Sequence, residues 1–70
     1  MKQENMVHMA NQIALFFSGY PHDEAVAGVT KHFKDFWERR MKDQIKQHVA
    51  QGGCGLHELA IEAVKRLDQA

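Results

Sequence analysis

One proline and one cluster of glycines decide where this chain can turn. Pro21 is its single proline, and three of its five glycines fall in the run Gly52-Gly53-Cys54-Gly55. Proline lacks the backbone donor a continuing helix needs and pushes the residue before it toward an extended conformation. A helix reaching Ser18 must therefore stop at Gly19-Tyr20-Pro21. Gly52 suits the left-handed position that terminates a helix, with Gly53 beyond it. Ala, Gln, Lys, Glu, Leu and Met supply much of the chain as a whole and β-branched residues are few, a helix-forming composition. The expected fold is all-α, a small bundle of three to four helices forming one domain over residues 1–70.

Apolar spacing places the helices at about 4–18, 22–35, 38–51 and 56–68. In the first, Met6, Met9, Ile13 and Phe16 follow a 3-4-3 spacing widened by Ala10, Ala14 and Phe17. Pro21 and Asp23 are cap or first-turn candidates for the second, where Asp23 and Glu24 complement the helix dipole. Val26, Val29, Phe33 and Phe36 form its stripe, with Ala25 and Trp37 beside them. No Gly or Pro separates Phe36 from Met41, and Trp37, Met41, Ile45 and Val49 continue the helical spacing. An unbroken helix to Gln51 would be ~44 Å long, too long for a compact fold of 70 residues. A break near Asp35 to Glu38 is expected. In the last helix Leu56, Leu59, Ala60, Ala63, Val64 and Leu67 face inward. Glu58, Glu62, Lys65 and Arg66 face water, with Glu62 and Arg66 in a favourable i, i+4 arrangement.

Charge and chemistry narrow the function. Nine basic residues balance nine acidic ones, which argues against a general nucleic-acid binder. The balance is uneven: Lys31 to Lys46 holds six basic and three acidic residues. That stripe is a solvated helical face, a dock for an acidic protein surface or, as the alternative function, the contact of a small helical nucleic-acid-binding regulator. The five histidines form no i, i+4 pair, and no second cysteine helps complete a metal set, so no metal is expected. Cys54 lies in a glycine loop before a helix start, where a thiol can be activated. A sulfur-carrying role is open, and a small apolar residue tucked against the loop is the favoured reading. A lone cysteine forms no internal disulfide, the start "MKQENMVHMANQ" has no apolar core of a signal peptide, and no run is long enough to span a bilayer. The chain reads as cytoplasmic with no membrane contact. Neither Ser18 nor Thr30 has a catalytic motif around it, and the chain is not expected to be an enzyme.

Three segments carry a family resemblance. "MANQIALFF" (Met9 to Phe17), "YPHDEAVAGVTKHFKDFWERRM" (Tyr20 to Met41) and "HVAQGGCGL" (His48 to Leu56) resemble the small delta subunit of soluble NAD-dependent formate dehydrogenases. Asn11-Gln12, Pro21, Phe36-Trp37, Arg40-Met41 and Gly52-Gly53 recur in order with fixed gaps. Where the family often has a proline after the tryptophan, this chain has Glu38, so the break there is less firmly encoded.

The resemblance implies a non-catalytic accessory subunit or assembly factor that binds the large alpha subunit and binds no cofactor itself. The molybdenum bis-(molybdopterin guanine dinucleotide) centre, iron–sulfur clusters, FMN and NAD belong to the rest of that complex. Interface centres favour Trp, Phe, Met and Arg, so the docking candidates are Phe36, Trp37, Arg39, Arg40 and Met41. Phe33 and Phe36 would anchor the second helix in the core, Trp37 would lie half in and half out, and the arginines would reach carboxylates or carbonyls of the partner. Tyr20, Pro21, His22, Gly52 and Gly53 are further contact candidates on rigid loops. Self-association through the same surface is a further expectation for a core this small.

Overall fold

The computed structural model describes residues 2–69, leaving aside the side chains of 68 and 69. Among the described residues four helices follow one another: α1 (Gln3–Phe17), α2 (His22–Phe36), α3 (Arg39–Ala50) and α4 (Glu58–Gln69). Each expected helix is present within two residues of its expected ends. α1 closes at Ser18, whose backbone N–H and hydroxyl both donate to the Leu15 carbonyl. Pro21 is the N-cap of α2, and its carbonyl accepts from Ala25 N–H at 2.8 Å.

The break between α2 and α3 falls at Trp37 and Glu38, whose ψ angles of 135° and 158° are extended. Glu38 takes the N-cap position, so the turn forms without the family's proline. The molecule's longest extent is 29 Å, shorter than the unbroken rod would be. Reversal at Trp37 lets α3 fold back onto α4.

α3 ends in a Schellman arrangement. Gly52 N–H donates to Val49 O at 3.0 Å and Gly53 N–H to His48 O at 2.9 Å, with φ of 118° and 66° at the two glycines. Those angles are rarely open to a residue with a Cβ, which is why glycine stands at both positions.

α2 packs most extensively on α4, and α1 lies against both. The core is made of Met6, Val26, Val29, Phe33, Trp37, Ile45, Leu59 and Val64, closed by Ala10, Ala14, Ala25, Ala60 and Ala63. Alanines on α1, α2 and α4 let the backbones approach closely, since helix separation is set by the side chains at the contact.

That economy corrects two sequence readings. α1 carries two adjacent apolar stripes, and the one with the small residues, Met6-Ala10-Ala14, turns inward. Met9 is 39% exposed and Phe16 72%. On α2 the buried row runs through Val26, Val29 and Phe33, then steps four residues to Trp37. Phe36 is thereby left 74% exposed and Trp37 only 5%. Phe36 is not a core anchor, and Trp37 is not half outside: its ring centroid lies 4.6 Å from that of Phe33.

Candidate functional site

Two surfaces of opposite character flank the second half of α2. On the α1 side, Gln12, Ile13, Phe16, Phe17, His32 and Phe36 line an apolar groove. Ile13, Phe16 and Phe17 come from one face of α1, while His32 and Phe36 are one turn apart on α2. Their rings touch in pairs along each helix: Phe16 and Phe17 meet edge to face at 5.1 Å, and His32 and Phe36 lie 4.9 Å apart. Tyr20 extends the run, 6.0 Å from Phe17 and half exposed.

Gly28 seats the Phe17 wall of this groove. A Cβ there would stand 2.5 Å from Cε1 of Phe17, far inside van der Waals contact. Only the missing side chain lets the Phe17 ring come this close to α2. Lys31 and Asp35 line an adjoining hollow with Phe17, Gly28, His32 and Phe36.

On the other flank Lys34, Arg39, Lys42 and Lys46 gather with Asp43 and Leu67 around a basic hollow. Lys34 lies about 200° around α2 from both His32 and Phe36 at ~100° per residue, so greasy and cationic surfaces point apart. Arg39 approaches Asp43 at a loose 4.0 Å with its side chain 94% exposed, a pair of little energetic weight. Arg40 is exposed as well, and Met41 packs partly against the core.

The expected docking cluster thus divides. Phe36 is on the aromatic groove, Arg39 is in the basic hollow, and Trp37 is inside. Tyr20, Pro21 and His22 are exposed. His22 Nε2–H donates to Glu62 Oε2 at 2.8 Å, so Glu62 pairs across helices rather than with Arg66. Gly52 is exposed, whereas Gly53 is buried, and a Cβ there would stand 3.2 Å from the Ile61 side chain.

Cys54 is exposed, not tucked in as favoured. The loop beneath it is nevertheless firmly held. Asn11 donates from Nδ2 to Gly55 O at 2.9 Å and accepts at Oδ1 from His57 N–H at 2.8 Å. His48, 7% exposed, donates from Nε2 to Cys54 O at 2.8 Å. His57 caps α4 by accepting Leu59 N–H at Nδ1. Sequence reasoning singled out Asn11 only as part of the resemblance, and the histidines only as polar residues. Among the described residues no three His, Cys, Asp or Glu side chains are grouped to hold a metal ion. No helix there is long and apolar enough to cross a membrane.

The aromatic groove was missed because Phe16 was assigned to the core. The available signal was Ile13-Ala14-Leu15-Phe16-Phe17, an apolar run that passes right round the helix and so must leave part outside. Large exposed apolar patches mark interaction sites on soluble proteins, and this one has aromatic walls suited to packing rather than to chemistry.

Searches among curated proteins and among solved structures give no significant match. The family model described as the NADH-dependent formate dehydrogenase delta subunit, FdsD, matches residues 5–64. That span takes in most of α1, all of α2 and α3, the pinned glycine loop and about half of α4, and the chain belongs to the family of formate dehydrogenase delta subunits.

Proposed function

We propose that this chain is a non-catalytic accessory subunit or assembly factor of a cytoplasmic, NAD-dependent molybdenum formate dehydrogenase. It binds the large alpha subunit and supports formation or maintenance of the active complex. The molybdenum centre, iron–sulfur clusters, FMN and NAD are held by the partner subunits, and this chain supplies adhesion. The observation that carries the reading is the aromatic groove between α1 and α2, with Phe16 and Phe36 each more than two-thirds exposed. Burying such rings against a partner is the main source of energy at interface centres. The basic hollow is less suited to nucleic acid, since it contains Asp43 and the chain as a whole has no excess positive charge.

The test is capture of the purified alpha subunit, cofactor-free and cofactor-loaded, by the intact chain and by a Phe16→Ser/Phe36→Ser variant. Capture in at least one state, lost in the variant, is expected. An intact chain that captures neither state overturns the proposal.

A further inference from the structure

Independently of that reading, we propose that the α1/α2 aromatic face of the free chain closes on a second copy of itself about a two-fold axis. Phe16 and Phe36 stand 72% and 74% exposed, and both line the hollow that also contains Ile13 and Phe17. Each copy therefore offers rings that protrude and a groove that receives them, as a two-fold contact requires.

The charges on the rim select the same occupant. Lys31 and Asp35 line the adjoining hollow with Phe17, Gly28, His32 and Phe36, one turn apart on α2 and opposite in sign. An acidic or a basic partner finds no net charge to recognise here, because the net-positive surface is the hollow of Lys34, Arg39, Lys42, Asp43 and Lys46 on the other flank. A second copy with its α2 antiparallel does match. A two-fold axis passing between positions 31 and 35 sets Lys31 of each copy against Asp35 of the other, while Phe36 reaches toward the Phe17–Gly28 end of the opposing groove.

The contact is small. Phe16 and Phe36 together expose about 300 Å² if a phenylalanine offers ~200 Å², against ~800 Å² per partner in a standard interface. The dimer is accordingly weak and reversible, with Kd on the order of 10–100 μM. The same face cannot meet a copy and the alpha subunit at once, so self-association is the state of the free chain.

Sedimentation of the full chain over about 10 μM to 1 mM tests this, with circular dichroism confirming that each variant is folded. Wild type is expected to show a monomer–dimer equilibrium. Lys31→Glu makes the rim all acidic and Asp35→Lys makes it all basic. Each alone should weaken the dimer about tenfold or more, and an equimolar mixture of the two should restore it. The double variant Lys31→Glu/Asp35→Lys should dimerise like wild type. A wild-type chain that stays monomeric throughout overturns the proposal, as does a dimer indifferent to either charge change. Because the readout uses the chain alone, its failure and a failed capture of the alpha subunit are separate results.

Discussion

The imidazole of His48 donates from Nε2 to the carbonyl oxygen of Cys54 at 2.8 Å, while the carbonyl of His48 itself accepts from Gly53 N–H at 2.9 Å. One helical residue thus holds the glycine loop by backbone and by side chain. His48→Ala should cost about 1–3 kcal/mol, the usual cost of stranding a shielded polar group. His48→Gln should recover part of it, since an amide can still donate. Urea unfolding with an unchanged m-value checks both. A His48→Ala chain as stable as wild type would mean the loop stands without this contact.

Asn11 acts on the same loop from the other side. Asn11→Ala removes the acceptor for His57 N–H and the donor to Gly55 O. Faster amide hydrogen exchange is expected at His57. Asn11→Asp keeps the acceptor and loses the donor, so His57 should stay protected while stability falls by about 1–2 kcal/mol. Residue-resolved exchange separates these outcomes.

Gly28→Ala places a methyl group where the Phe17 ring now lies. Overpacking of this kind costs typically about 1–3 kcal/mol. Phe17→Leu vacates part of the ring's space, so the double variant should be more stable than the sum of the single losses predicts. A thermal-unfolding double-mutant cycle measures the coupling, and strict additivity would show that the two positions do not touch.

Adjacent aromatic residues should behave in opposite ways. Trp37→Ala empties a buried site against Phe33 and should cost about 3–5 kcal/mol, comparable to the whole stability of a domain this size. Its helical circular dichroism should collapse at or near room temperature. Phe36→Ser should leave stability within ~0.5 kcal/mol, as exposed substitutions do, and reduce association instead. Arg39→Ala and Arg40→Ala should likewise leave stability almost unchanged.

Much of the fold was legible because its signals are local. Pro21 and Gly52 act on their own backbones whatever surrounds them, and the apolar face of α4 appears as expected, from Leu59 to Val64. The break at Trp37 followed from length alone, since no residue there forbids helix. What could not be read was the choice between neighbouring stripes, Ala10–Ala14 or Met9–Phe16, and Trp37 or Phe36. Hydrophobicity favours the larger residues, while close helix packing favours the smaller ones, and that preference exists only once the partner helices are in place. The polar pins were hidden for a similar reason: Asn11 and His57 lie 46 positions apart, beyond any spacing rule.

The double pinning of the glycine loop gives Cys54 a practical standing. It is the chain's single thiol, it is exposed, and the carbonyls of Cys54 and Gly55 are both tethered to helices. A fluorophore or spin label coupled there would ride on a stiff mount, so its signal would report tumbling of the entire particle rather than local wobble. The molecule thereby carries its own attachment point for following assembly in real time, on the glycine loop rather than among the residues that line the aromatic groove.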